Sequence, residues 1–183
     1  MSPSEFEKRW AHDLRHAEQT LLKDGLLAPL FIVVGADGRS SLIPAAFPNP
    51  ATKAFYMNLA RMQAVAVDAE AVLMRTESWL VVGDLPEGVS PGQSDRRIEV
   101  VSVAATARYG RKIIHRLSTR EIVRDAAGKP VGLKEVRIPG AAGDAMDGAA
   151  GPMFDLLPPI RPGREQQEQA AILVEAMKAR GPV

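Results

Sequence analysis

The sequence predicts an α+β fold: a two-layer domain with one antiparallel sheet of five or six strands, then a linker and a C-terminal helix. Three features of the 183-residue chain predict it. Apolar residues recur at helical spacing near the N-terminus and again after Pro50. β-Branched runs broken by short turns fill residues 71–138, and a Gly/Pro/Ala-rich stretch separates them from a last polar helix. Consecutive strands joined by short turns are antiparallel neighbours, because parallel neighbours need a crossover of roughly a dozen residues. The order is helix, hairpin, helix and meander, with the helices expected on one face of the sheet.

Each element has a local reason. Phe6, Trp10, Leu14, Ala17 and Leu21 fall on one helical stripe. Ser2, Pro3 and Glu5 spell a capping box with proline at the first helical position, and Gly25 supplies a left-handed stop. The run 29–34 and its partner 39–44 flank Asp37-Gly38, a tight-turn pair. Asn49 caps a second helix opened by Pro50, with Phe55, Leu59 and Met62 on its sheet-facing side. Residues 71–82, 97–107, 111–124 and 131–138 read as strands, and 83–95 as a Gly/Pro-rich loop.

The organisation that follows is one globular domain over 1–138, a linker over 139–163 and an amphipathic helix over 164–183. The linker holds five Gly, five Pro and five Ala, a composition that forms no core of its own. Inside it, Met153, Phe154, Leu156 and Leu157 form an apolar knot that should dock, either on this chain or on a partner. The final helix carries only a thin stripe of Ala170, Leu173, Val174 and Met177, which needs a surface to pack on.

Composition excludes several classes. The chain holds 23 Lys+Arg against 22 Asp+Glu, which rules out a polybasic coat protein. It has no cysteine, so disulfides, thiolate metal clusters and cysteine nucleophiles are excluded. No apolar run approaches the roughly 20 residues of a membrane helix, and the N-terminus lacks the order of a secretory signal. The expectation is a cytoplasmic protein that does not engage a membrane.

The motifs are weak. Residues 88–92 match G-x-S-x-G, yet Pro91 follows the serine and has no N–H to offer an oxyanion. His12 and His16 have the i, i+4 spacing of a metal pair, but they point away from the apolar stripe and lack a third ligand. The phosphate-binding and dinucleotide-binding glycine patterns are absent, so no cofactor, no metal and no catalytic residue is assigned. Charge is the strongest unevenness: residues 96–124 carry eight basic side chains against two acids. Strand alternation puts Lys112, Arg116, Arg120 and Arg124 on one face, and His115 on the other among apolar neighbours.

These features lead to a non-catalytic interaction or adaptor module, expected to be a homodimer or to dock a partner through Met153, Phe154, Leu156 and Leu157. One alternative is binding of nucleic acid or another polyanion by Arg108, Arg111, Lys112, Arg116, Arg120 and Arg124. Another is a small-molecule sensor or enzyme with a pocket near Glu77, Trp79 and His115.

Overall fold

The capping box closes as its residues require. In the computed structural model, which describes residues 1–136 and 155–182, Ser2 Oγ accepts from the Glu5 N–H at 3.3 Å and the Glu5 carboxylate accepts from the Ser2 N–H at 2.7 Å. Helix α1 (Pro3–Asp24) runs from this cap to Gly25, which sits at φ 84° and donates to the Leu21 carbonyl. Its stripe of Phe6, Trp10, Ala17 and Leu21 is buried, and so is Asp13.

Strands β1 (Leu30–Val34) and β2 (Ser40–Pro44) form the hairpin. At its turn Gly38 takes φ 79°, a conformation that a side chain would strain. Helix α2 (Pro50–Ala66) starts where Asn49 Oδ1 accepts from the Thr52 N–H at 2.8 Å. The meander follows as β3 (Ala71–Leu80), β4 (Ile98–Tyr109), β5 (Lys112–Arg124) and β6 (Pro130–Glu135). Every pairing is antiparallel, and the sheet order is β2-β1-β3-β4-β5-β6. Helix α3 (Arg164–Arg180) is the last element. No described helix is long and apolar enough to cross a membrane.

Alternation along the strands divides the interior in two. Leu73, Val101, Val103, Ala105 and Ala107 turn to α1, where they surround Phe6 and Leu21. Phe31, Val33, Val72 and Met74 turn the other way, to Met57, Ala60 and Ala64 of α2. The expectation of helices on one face holds for α2; α1 lies on the opposite face. Connection length does not reveal this, because a helix that precedes or follows a hairpin can close over either side of a sheet.

The tail meets the body closely. Leu156 and Leu157 are 2% and 4% exposed and belong to the α2-side core. Arg61 Nε donates to the Asp155 carbonyl at 2.6 Å, and buried Arg108 donates to the carbonyls of Pro158 and Pro159. Arg161 pairs with Asp68 at 2.7 Å and with Glu70. Helix α3 then packs on α2 through Ala170, Val174 and Met177. The sequence left open whether this helix packs on its own chain, and here it does. Met153, Phe154 and most of the linker lie outside the described residues.

Candidate functional site

A groove of about 630 Å³ lies on the α2 side of the sheet. Its floor is Met74 and Thr76 of β3, Val100 and Ser102 of β4, and Leu117 and Thr119 of β5. The pairings Thr76↔Ser102 and Ser102↔Thr119 put three hydroxyl side chains in one row across three strands. Ser102 and Thr119 share a hydrogen bond at 3.2 Å, and Thr76 donates to the Glu77 carbonyl at 2.8 Å. Each oxygen keeps accepting capacity beyond these contacts. Phe47 and Lys53 form the wall: Phe47 stacks edge-on with Phe31 and Tyr56, and Lys53 stands exposed in the first turn of α2. The helix N-terminus adds to the lysine charge and favours an anionic group there.

Glu77, Trp79 and Glu99 also border this groove. Glu77 and Glu99 turn their carboxylates to the α1 side, where Arg124 lies between them. The Arg124 Nε reaches Glu99 at 2.6 Å, and its Nη2 lies 3.5 Å from Glu77. The Leu27 N–H also donates to Glu77. Burial, with Glu99 adding to it, pushes the Glu77 carboxyl above its ordinary 4.5, while the Leu27 N–H and Arg124 pull it down. The Glu99 hydrogen bonds raise the Arg124 guanidinium above its ordinary value. Trp79 is 48% exposed, with the Arg97 guanidinium 5.0 Å from its ring centre. Arg97 also donates to the Gly92 carbonyl at 2.9 Å, so the 83–97 loop folds back on the indole. In that loop Ser90 donates to the Gln93 side chain at the start of a single 3-10 turn, Pro91–Gln93, which is not a nucleophile elbow.

His115 does not join this group. It points to the α2 side of β5, beside Thr106 at 3.1 Å, and burial holds its imidazole below the ordinary 6.5. Glu77 and Trp79 border the groove, although the Glu77 carboxylate turns away from it to Arg124; His115 shares the groove's face of the sheet but does not line it.

The arginines predicted as a polyanion ladder are differently employed. Arg116 pairs with Glu7 at 2.7 Å and Arg120 with Glu18 at 3.8 Å, both acids of α1. The four-residue step from Arg116 to Arg120 covers about 13 Å and the eleven-residue step from Glu7 to Glu18 about 16.5 Å, a difference that long side chains span. Arg124 serves Glu99 and Glu77, and Arg108 is 2% exposed beneath the tail. Only Arg111 and Lys112 of that set are exposed. The partner-docking set fares similarly, since Leu156 and Leu157 are used inside the chain.

Sequence reasoning missed Phe47 and Lys53 as groove walls and Asp13 as a buried acid. Asp13 sits on the buried stripe of α1 between Trp10 and Ala17 and carries no motif; its approach to Arg75, at 3.5 Å, gives it meaning. Burial raises the Asp13 carboxyl above its ordinary 3.8 against the pull of Arg75, His16 and His12. No family model matches the chain, and no similar curated protein or solved structure was found.

Proposed function

We propose that the protein is a non-catalytic binding domain that senses a small molecule in the groove over β3, β4 and β5. One observation carries the reading: a recess of about 630 Å³ whose floor mixes Met74, Val100 and Leu117 with a row of three hydroxyls, with a lysine at its wall that has no ion pair among the described residues. That size lies within the roughly 300–1,000 Å³ of small-ligand sites, and a few placed polar groups in an apolar lining are their usual chemistry. The ligand it fits has a ring or short apolar body, a hydrogen-bonding edge for Thr76, Ser102 and Thr119, and an acidic group for Lys53. Trp79 and its Arg97-held loop stand beside the mouth, where binding would alter the exposed indole.

The test is native mass spectrometry of freshly purified protein for a retained small molecule, followed by NMR with aromatic monocarboxylates as probes. Shifts should cluster at the Val100, Ser102 and Leu117 amides and at the Trp79 indole, and Leu117→Arg should remove them. Probes that bind nowhere, or that bind equally well to the Leu117→Arg protein, would sink the reading.

A second reading, self-association, rests on the outer side of α3. There Ile172 and Leu173 are 71% and 51% exposed, although Val174 beside them is buried. Adjacent exposed aliphatics on a docked helix suit a second copy of this chain. Sedimentation velocity should then show a dimer that Ile172→Glu with Leu173→Glu converts to monomer; a wild-type monomer at micromolar concentration rejects this reading. The polyanion reading has less support, because Arg116, Arg120 and Arg124 already face carboxylates.

A further inference from the structure

A second recess lies on the other side of the sheet, where α1 passes the β1–β2 edge. It measures about 400 Å³, and its floor is apolar: Leu30 and Ile32 of β1, Leu42 of β2 and Leu73 of β3. Leu42 is 62% exposed, although it lies in the middle of a strand. Helix α1 packs on β3, β4 and β6, and Arg9 reaches across to Ser40 Oγ, 3.2 Å away at the β1–β2 turn.

The rim has the opposite character. Lys8, His12 and His16 lie one helical turn apart along α1, Arg9 stands beside them, and Arg75 rises from the floor. The one carboxylate in the lining is Asp13, which Arg75 already engages at 3.5 Å. Arg75 Nη1 also donates to His16 Nδ1 at 2.7 Å. An accepting Nδ1 puts the neutral ring's proton on Nε2, so His16 remains a donor on its other side. Arg75 Nε is buried and has no hydrogen-bond partner among the described residues. A guanidinium with an unpartnered donor, beside the exposed cations Lys8 and Arg9 and above exposed Leu42 and half-buried Leu30 and Ile32, is complementary to one chemistry: a negative head on an apolar chain.

We infer that the cleft between α1 and the β1–β2 edge binds a small amphiphilic anion, an alkyl carboxylate with its head at Arg75 and the α1 rim and its chain along Leu30, Ile32 and Leu42. The volume is that of a small-molecule site, which favours a free carboxylate over a protein segment. The site is separate from the β3–β5 groove and uses none of its residues. Because Lys8 and Arg9 are exposed, their charges can be reversed without disturbing the core.

Isothermal titration of the full chain with decanoate, decanol and decyltrimethylammonium tests this. Decanoate should bind saturably at one site, and decanol about tenfold or more weaker, since it forgoes the charge-assisted hydrogen bonds. Lys8→Glu with Arg9→Glu should weaken decanoate by a similar factor, and Leu42→Asp should abolish binding. Leu117→Arg, in the other groove, should leave decanoate affinity unchanged, which separates this site from the one above. Decanol binding as tightly as decanoate, no saturable decanoate binding, or full affinity in the Lys8→Glu/Arg9→Glu protein would each overturn the inference.

Discussion

Beneath α1 the sheet presents arginines, and beneath α2 it presents methyl and hydroxyl groups. The α1 side holds Arg75, Arg116, Arg120 and Arg124, each set against a carboxylate of α1 or of a neighbouring strand. An apolar seam from Phe6 to Leu21 runs under these pairs. On the α2 side, Thr76, Ser102 and Thr119 replace the arginines, and the tail supplies Leu156 and Leu157 as filler. The difference shows how one alternating strand serves two environments. Charges fall where a helix brings matching acids, and uncharged polar groups fall where a recess stays open.

Removing the seam should cost most. Phe6 is fully buried, so Phe6→Ala is expected to lower stability by about 3–5 kcal/mol in urea unfolding. Leu156→Ala tests the other side; a loss of about 2–5 kcal/mol is expected, with faster proteolysis after residue 154 as the tail loosens. If Leu156→Ala leaves unfolding unchanged, the tail is no part of the α2-side core.

The ion pairs separate the faces by pH. Glu77 has its pKa raised, so the folded state holds its proton more tightly than the unfolded chain does. Its contribution therefore favours folding below 4.5 and is lost as pH rises through the folded value. Arg124 pulls in the opposite direction. The Arg124→Ala protein should lose more stability than wild type between pH 4.5 and 7, measured as the shift in urea midpoint. An equal shift in both would mean that the arginine does not hold Glu77 ionised.

Smaller effects sharpen the contrast. Ser2→Ala removes the capping hydroxyl of α1 and should cost about 1 kcal/mol. Arg116→Ala and Arg120→Ala should each cost about 0.2–1 kcal/mol, less at high salt, because these pairs are partly solvated. Single-stranded DNA affinity of an Arg116→Ala/Arg120→Ala double variant should equal that of wild type, since both side chains face acids of α1; a loss of affinity would give them a role outside the fold.

Much of this architecture was legible in the chain. Ser2-Pro3 with Glu5, Asn49-Pro50 and Asp37-Gly38 set helix starts and a turn through contacts of a few residues, so the sequence states them directly. The period-two split of β5, with His115 on one side and Arg116 on the other, was equally plain. The candidate site was legible in part. Glu77 and Trp79 were visible as a carboxylate and an indole on one strand, but Phe47 and Lys53 come from a distant segment and carry no local signature. His115 looked like part of the same pocket because the sequence does not reveal distance across a sheet.

What the sequence determined by itself is the list of elements and the two faces of each strand, because hydrogen-bonded periodicity and caps act within a few residues. The tertiary structure decided which face each helix covers, that the arginine ladder meets Glu7 and Glu18, and that the tail packs on its own α2. Those outcomes depend on residues far apart in the chain competing for the same surfaces. A basic row reads alike whether it faces solvent or a helix of matching acids, and only packing distinguishes the two.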